Sequence, residues 1–264
     1  MKNISIEELN EILQKHEMWL KGEEGGQRAD LINVDLRDAD LSNINLNSAD
    51  LRCADLSGAN LRYVDLSNTD LWNANLSYTD LRYANLWNTN LSESDLNNAS
   101  LRDTNLRGAN LSYTNLSYTD LRGADLRYAD LNNANLWDAN LNYANLNNIE
   151  TNMNTIGYNL ACPEEGGFIG YKKANECIVK LLILEDSKRS SATTMKCRCD
   201  KAKVLEIKNI KTGKSIESVK SDYDPKFVYK VGEIVSVDNF DDNRWNEFGT
   251  GIHFFVNKEN ALNY

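Results

Sequence analysis

Gly249-Thr250-Gly251-Ile252-His253, preceded by Arg244, Trp245 and Glu247, comes nearer to a reactive site than any other stretch of this chain. Two glycines let backbone approach a small ligand, and an imidazole near a carboxylate can move a proton. Arg244, Glu247 and His253 are therefore the candidate residues of a C-terminal pocket. The same residues also suit a tight turn that enters a core strand and carries a hydrogen-bonded histidine. Cys162, Cys177, Cys197 and Cys199 could supply thiolates to a soft metal. Zinc modules usually place two or more residues between paired cysteines, and Cys197-x-Cys199 places one, so neither metal nor cofactor is expected. With Cys53 the cysteines number five, an odd count that reads as reduced thiols in a cytoplasmic protein.

A second group of residues points to recognition instead of reaction. Arg62, Arg82, Arg102 and Arg122 recur at intervals of twenty, and Tyr63 and Tyr83 follow the first two. Whether they form one surface depends on the elements that carry them. From Leu31 to Leu146 a leucine stands at every fifth position, twenty-four in all, nearly always preceded by Asp or Asn. Two positions before each leucine stands a small or compact residue such as Ala39, Ala54, Thr69, Ser94 or Ala134. A period of five fits neither the 3.6 of a helix nor the 2 of a flat strand. It fits a short strand and a turn repeated four times per twenty-residue coil. Leu31, Leu51, Leu71 and their successors then form one inward column, and three more columns begin at Leu36, Leu41 and Leu46. Small inward residues match a narrow lumen. Coils stacked at ~4.8 Å would give a rod of about six coils, roughly 29 Å long. Each buried leucine contributes ~1.5–3 kcal/mol.

Segments such as Ala54-Asp55-Leu56, Ala74-Asn75-Leu76 and Ala124-Asp125-Leu126 resemble the pentapeptide-repeat family, whose motif is Ala-(Asp/Asn)-Leu-X-X. The resemblance spans residues 29–150 and implies a right-handed quadrilateral β-helix. It implies no activity, because the family is defined by its core.

Stacking would set the four arginines one coil apart on the third side. Like charges at ~4.8 Å in water repel by ~1 kcal/mol per pair, and Asp80 and Asp120 can offset this. Tyr63 and Tyr83 can stack on guanidinium groups. One reading of the strip is a recognition surface for an acidic protein partner. The other is a solvated face with local ion pairs.

Charge is spread unevenly. The formal net charge is −10, and residues 31–150 hold eight arginines, no lysine and sixteen acids. An acidic rod argues against direct nucleic-acid binding. Some members of the resembled family mimic duplex DNA and occupy the DNA site of a topoisomerase, and Asp30, Asp50, Asp70, Glu93, Asp35, Asp38, Asp55 and Asp95 make two sides acidic. The motif itself calls for Asp or Asn before leucine, and the arginine column weakens the mimicry. No apolar run approaches a membrane span, and no signal peptide is apparent.

Ser5-Ile6-Glu7-Glu8 is a capping box that opens a helix with Leu9, Ile12, Leu13, His16, Trp19 and Leu20 on one face. Residues 1–28 are read as a lid on the first coil, since repeat arrays need capped ends. Beyond Leu146 the period decays through Thr151 and Ile156. Cys177–Leu184, Lys203–Lys208, Phe227–Lys230 and Glu233–Val237 read as strands, Lys211–Lys214 as a hairpin turn, and 257–264 as a short helix. Gly170-Tyr171-Lys172-Lys173, Lys188–Thr193, Lys196-Cys197-Arg198-Cys199 and Gly251–Phe255 resemble a domain of unknown function that follows pentapeptide repeats in bacterial and phage proteins.

The expectation is an all-β repeat solenoid over residues 29–156, with an N-terminal capping helix and a small α+β domain over 167–264. Its expected role is a non-enzymatic scaffold for a protein partner, with a homodimer left open. The alternatives are a topoisomerase-directed DNA mimic, and an enzyme or small-molecule binder with its site in 167–264.

Overall fold

Each leucine of the repeat opens a β-turn. The N–H three residues ahead donates to the leucine carbonyl, as from Val34 to Leu31 (3.3 Å) and from Ala49 to Leu46 (3.0 Å). The third turn residue is left-handed at every repeat, from Asn33 (φ 59°) to Asn148 (φ 58°). These positions hold Asn, Asp, Gly, Ser, Cys, Glu and Tyr, and never a β-branched residue, for which that conformation is a steric outlier. The Asp or Asn before each leucine has a structural task. Its Oδ1 accepts the N–H two residues on, as from Ile32 to Asp30 (3.2 Å) and from Ser57 to Asp55 (3.0 Å). This is an Asx-turn, and it explains why the motif selects those two residue types.

The computed structural model describes residues 1–264 as two units, Met1–Tyr158 and Asn159–Tyr264. In the first, residues twenty apart pair through parallel bridges in four columns, such as Asp30↔Asp50↔Asp70 and Asp35↔Asp55↔Asn75. Each side carries one bridging residue, not the short strand expected from the period, because the turn takes up the adjoining positions. Asp50 N–H donates to Ala29 (3.0 Å), and the Asp50 carbonyl accepts from Leu31 N–H (2.8 Å). Leucines 31 to 141 are buried, most of them completely. Most inward threonines donate to leucine carbonyls of the coil before, as Thr69 to Leu46 (2.8 Å) and Thr114 to Leu91 (2.7 Å), whereas Thr79 donates to Leu76 of its own turn (2.6 Å), so these hydroxyls are paired inside the lumen. Asn side chains continue the ladder outside, as Asn90 Nδ2 to Asp70 (2.8 Å). After Glu150 the register slips by one, and Asn135 pairs with Ile156. Leu146 is only half-buried there.

Helix α1 (Ile6–Leu20) starts at Ser5, whose hydroxyl accepts Glu8 N–H (3.1 Å) while Glu8 accepts Ser5 N–H (2.8 Å). His16 is wholly buried, stacks on Trp19 and accepts the Ala29 N–H at Nδ1 (3.1 Å). Lys2 pairs with Val34, adding a further rung ahead of the first coil.

The second unit holds β1 (Phe168–Ala174), β2 (Cys177–Ile183), β3 (Arg189–Ser191), β4 (Lys196–Cys199), β5 (Lys201–Asn209), β6 (Ser218–Lys220), β7 (Val228–Lys230), β8 (Ile234–Ser236), β9 (Ile252–Phe255) and α2 (Lys258–Asn263). Seven strands form one antiparallel sheet in the order β3-β4-β9-β1-β2-β5-β8, and β6 pairs with β7. One face packs Val179, Leu181, Val204, Ile252 and Phe254 into the core, and Ile178 and Phe255 on the other face pack with Ala261 of α2. A bulge opposite Lys180/Leu181 leaves Leu205 unpaired and exposed. Asn209 organises the 209–214 turn, with Oδ1 accepting Lys211 and Thr212 N–H. Gly213 there is left-handed (φ 67°).

Candidate functional site

The arginine column of the rod is built one coil above another, at the position after a buried leucine. Asp80 sits between two of its members. Arg82 grips it with Nε to Oδ1 (2.8 Å) and Nη2 to Oδ2 (2.5 Å), and Arg62 Nη1 lies 3.9 Å from the same Oδ2. Arg122 forks Asp120 in the same way (2.8 and 2.6 Å), and Arg102 Nε lies 3.4 Å from Asp103. The Arg82 fork holds the Asp80 carboxyl below the usual range against the opposing effect of burial. Tyr63 and Tyr83 stack with centroids 5.1 Å apart and planes 8° apart, and the Arg62 guanidinium lies 5.6 Å from the Tyr63 centroid. Both tyrosines are about half exposed. The strip is thus an ordered ladder of forked ion pairs and one tyrosine stack, with less free positive charge than four arginines suggest.

Two carboxylates of the acidic sides are also forked by arginines. Arg37 forks Asp35, and Arg52 forks Asp50 and approaches Asp70 (3.7 Å). The Arg37 fork pulls Asp35 down to about 2. Further exposed aromatics, Tyr78, Tyr113, Tyr118 and Tyr143, stand at the left-handed turn positions. The signal for them was available, since the third residue of each turn must point outward.

In the second unit, the segment Gly249–His253 lines a cavity of about 650 Å³. Of the three residues singled out there, only His253 lies on its wall. Arg244 Nε donates to the Ser191 carbonyl (3.2 Å), with its guanidinium 4.3 Å from the Trp245 centroid. Glu247 accepts from Thr194 Oγ1 (2.6 Å) and pairs with Lys196 (3.3 Å). His253 Nε2 lies 2.9 Å from the Gly249 carbonyl, which can only accept, so that nitrogen carries the proton. Burial, aided by Lys196, Lys172 and Arg198, pushes the imidazole down to about 4, so it is neutral at pH 7. The glycines serve packing. A Cβ on Gly249 would strike the Arg198 guanidinium, and one on Gly251 would press on Arg198 and Phe240. Arg198 itself donates to the Asn246 and Asn243 carbonyls.

The cavity is completed by residues far apart in sequence: Lys172 and Lys173 from β1, Lys196 from β4, residues 221–224 after β6, Phe248 and Tyr264. No local motif joins these positions. Cys162, Cys177, Cys197 and Cys199 are buried, and no group of three or more His, Cys, Asp or Glu is placed to hold a metal ion. Burial raises the Cys199 thiol far above its ordinary range.

Residues 27–149 match the family model described as pentapeptide repeats (8 copies), in four overlapping segments. Residues 158–261 match a family of unknown function, DUF5758. No curated protein matches the chain. Among solved structures, HetL of the cyanobacterium Nostoc sp. strain PCC 7120, a pentapeptide repeat protein involved in heterocyst differentiation regulation, is 33% identical. The match covers 48% of this chain and 73% of that one, with a TM-score of 0.23. A pentapeptide repeat protein of Cyanothece 51142 is 28% identical over 55% of this chain and 97% of its own, with a TM-score of 0.27. QnrB1, a plasmid-mediated fluoroquinolone resistance protein, is 16% identical over 48% and 84%, with a TM-score of 0.22.

Proposed function

Since this chain belongs to the pentapeptide-repeat family, with a domain of the DUF5758 family after the repeats, we propose that it is a non-enzymatic interaction scaffold. On this reading the rod spans 29–156 as a right-handed four-sided helix of about six coils, capped by residues 1–28 and followed by a separate domain over 167–264. Its partner is an acidic protein surface that meets Arg62, Arg82, Arg102 and Arg122 beside Tyr63 and Tyr83, and its place is the cytoplasm. The observation that carries this reading is the Tyr63–Tyr83 stack with Arg62 against it. Aromatic and arginine side chains held in one geometry lose little entropy on binding, and binding energy concentrates on such residues. DNA mimicry is less well supported, because Asp35, Asp50 and Asp80 are forked by arginines and offer fewer free carboxylates than the sequence suggests.

The test is affinity capture from a cell lysate with wild-type protein, Arg82→Ala/Arg102→Ala, and Arg52→Ala as a control on another side. Mass spectrometry should find acidic proteins bound to wild type and to the control, and lost from the double variant. An unchanged set of captured proteins in the double variant would refute the arginine surface.

A further inference from the structure

We propose that the cavity of the C-terminal unit binds a small aromatic anion, with its ring among Tyr223, Phe248 and Tyr264 and its anionic group at the Lys172 ammonium. The volume of about 650 Å³ lies within the ~300–1,000 Å³ of small-molecule sites.

The charges on the wall select the sign of the ligand. Three ammonium groups and two carboxylates line the cavity, and both carboxylates are already engaged by backbone. Asp222 accepts Asn175 N–H (3.0 Å), and Asp224 accepts Lys226 N–H (2.9 Å). Lys196 is buried and paired with Glu247, and Lys173 donates to the Leu262 carbonyl (3.4 Å). Lys172 forms no ion pair. Its ammonium lies 5.9 Å from the Tyr223 centroid, and burial pushes its pKa down, with Lys196 adding to that against the counter-effect of Asp222. Lys172 is half-buried, and an ammonium partly withdrawn from water without a direct ion-pair partner is stabilised by a bound anion.

The rings select the rest of the ligand. Tyr223 (82% exposed) and Phe248 (84%) present large apolar faces to solvent beside the cavity. Lys196 Nζ sits 4.7 Å from the Phe248 centroid and 5.3 Å from that of Tyr264, a cation–π contact with each ring. Aromatic rings grouped at one cavity favour a planar aromatic guest by stacking. A cation would meet Lys172 and Lys196, and an aliphatic anion would leave the rings in water. The anionic group is a phosphate or a carboxylate, and the two are separated by the choice of probe.

Titration calorimetry of the full chain should use adenosine 5′-monophosphate and indole-3-acetate, with adenosine, indole and inorganic phosphate as counterparts. At least one aromatic anion should bind below about 1 mM, and about tenfold or more tighter than its uncharged counterpart and than phosphate. Which of the two binds tells phosphate from carboxylate. Lys172→Met should weaken that binding about tenfold or more, and Lys172→Arg should largely keep it. Tyr223→Ala removes an exposed ring with little structural consequence and should weaken binding several-fold, which keeps the test valid if Lys172→Met unfolds. The proposal is overturned if neither anion binds below about 1 mM, if the uncharged counterparts bind as well, or if folded Lys172→Met and Tyr223→Ala both bind as wild type.

Discussion

Tyr63 and Tyr83, twenty residues apart in sequence, lie face to face with ring centroids 5.1 Å apart and planes 8° apart. Their spacing follows from the backbone ladder, which brings equivalent positions of successive coils to ~4.8 Å, close to the separation of stacked rings. Tyr63 and Tyr83 are both left-handed at the third turn position (φ 57° and 62°), so the rings leave the rod along the same direction. The geometry that buries leucine on the inside therefore aligns side chains on the outside, and every surface column of the rod inherits this registration.

The lumen tolerates no charge. Leu91 is fully buried at mid-rod, and its carbonyl accepts the Thr114 hydroxyl. Leu91→Lys would place an ammonium among leucines with no water and no counterion, a loss of several kcal/mol, about 3 or more. Thermal unfolding followed by circular dichroism should show the rod transition abolished or strongly lowered. A folded variant with unchanged melting would contradict the stacked columns.

The turn positions tolerate no β-branching. Tyr143 is 86% exposed and left-handed (φ 62°), so its side chain contributes little by burial. Tyr143→Val should cost about 1–2 kcal/mol through backbone sterics alone, whereas Tyr143→Asn should be near neutral. Urea unfolding of the two variants separates a backbone effect from a side-chain effect.

Gly170 on β1 is set against Phe254. A Cβ there would come within 2.6 Å of the Phe254 ring, which is itself fully buried and cannot swing away. Gly170→Ala should destabilise the C-terminal unit by about 1–3 kcal/mol, the usual cost of overpacking, and lower its melting temperature. Wild-type melting would mean that the sheet yields at this point.

His253 makes the C-terminal unit acid-sensitive. Burial first, then Lys196, Lys172 and Arg198, lower its pKa from 6.5 to about 4. The unfolded chain thus takes up the proton more readily than the folded one, and the contribution of neutral His253 is complete above pH 6.5 and is lost as pH falls towards 4. Melting temperature recorded from pH 7 to pH 4 should fall over that window in wild type and fall less steeply in His253→Gln. A variant with the wild-type slope would assign the acid sensitivity to other groups.

Much of the rod could be read from its residues. A leucine every five positions with a small residue two before it leaves one way to bury both, and the four columns of bridges follow that reading. The Ser5–Glu8 capping box, the buried strand around Val179 and the Lys211–Lys214 turn were also legible, because each rests on contacts between near neighbours. Asp80 and Asp120 could be expected to offset the arginine column, since they lie two residues before Arg82 and Arg122. The length of each side could not be read, because the same five residues can make a short strand or a single bridging residue.

The sequence by itself determined the period, and through it the inward leucines, the left-handed turns and the twenty-residue columns, because repetition turns spacing along the chain into spacing in the rod. Only the tertiary structure decided what those columns offer: Asp80 held between Arg62 and Arg82, and one ring stacked on another. In the C-terminal unit it decided more. Lys172, Lys196, Tyr223 and Phe248 come together because β1 and β4 flank β9 in the sheet and the loop after β6 reaches the same cavity. Arg244 and Glu247 turned to other partners, and His253 alone of the three lines that space. Strand order and long-range register set those distances, and without a repeat no local pattern records them.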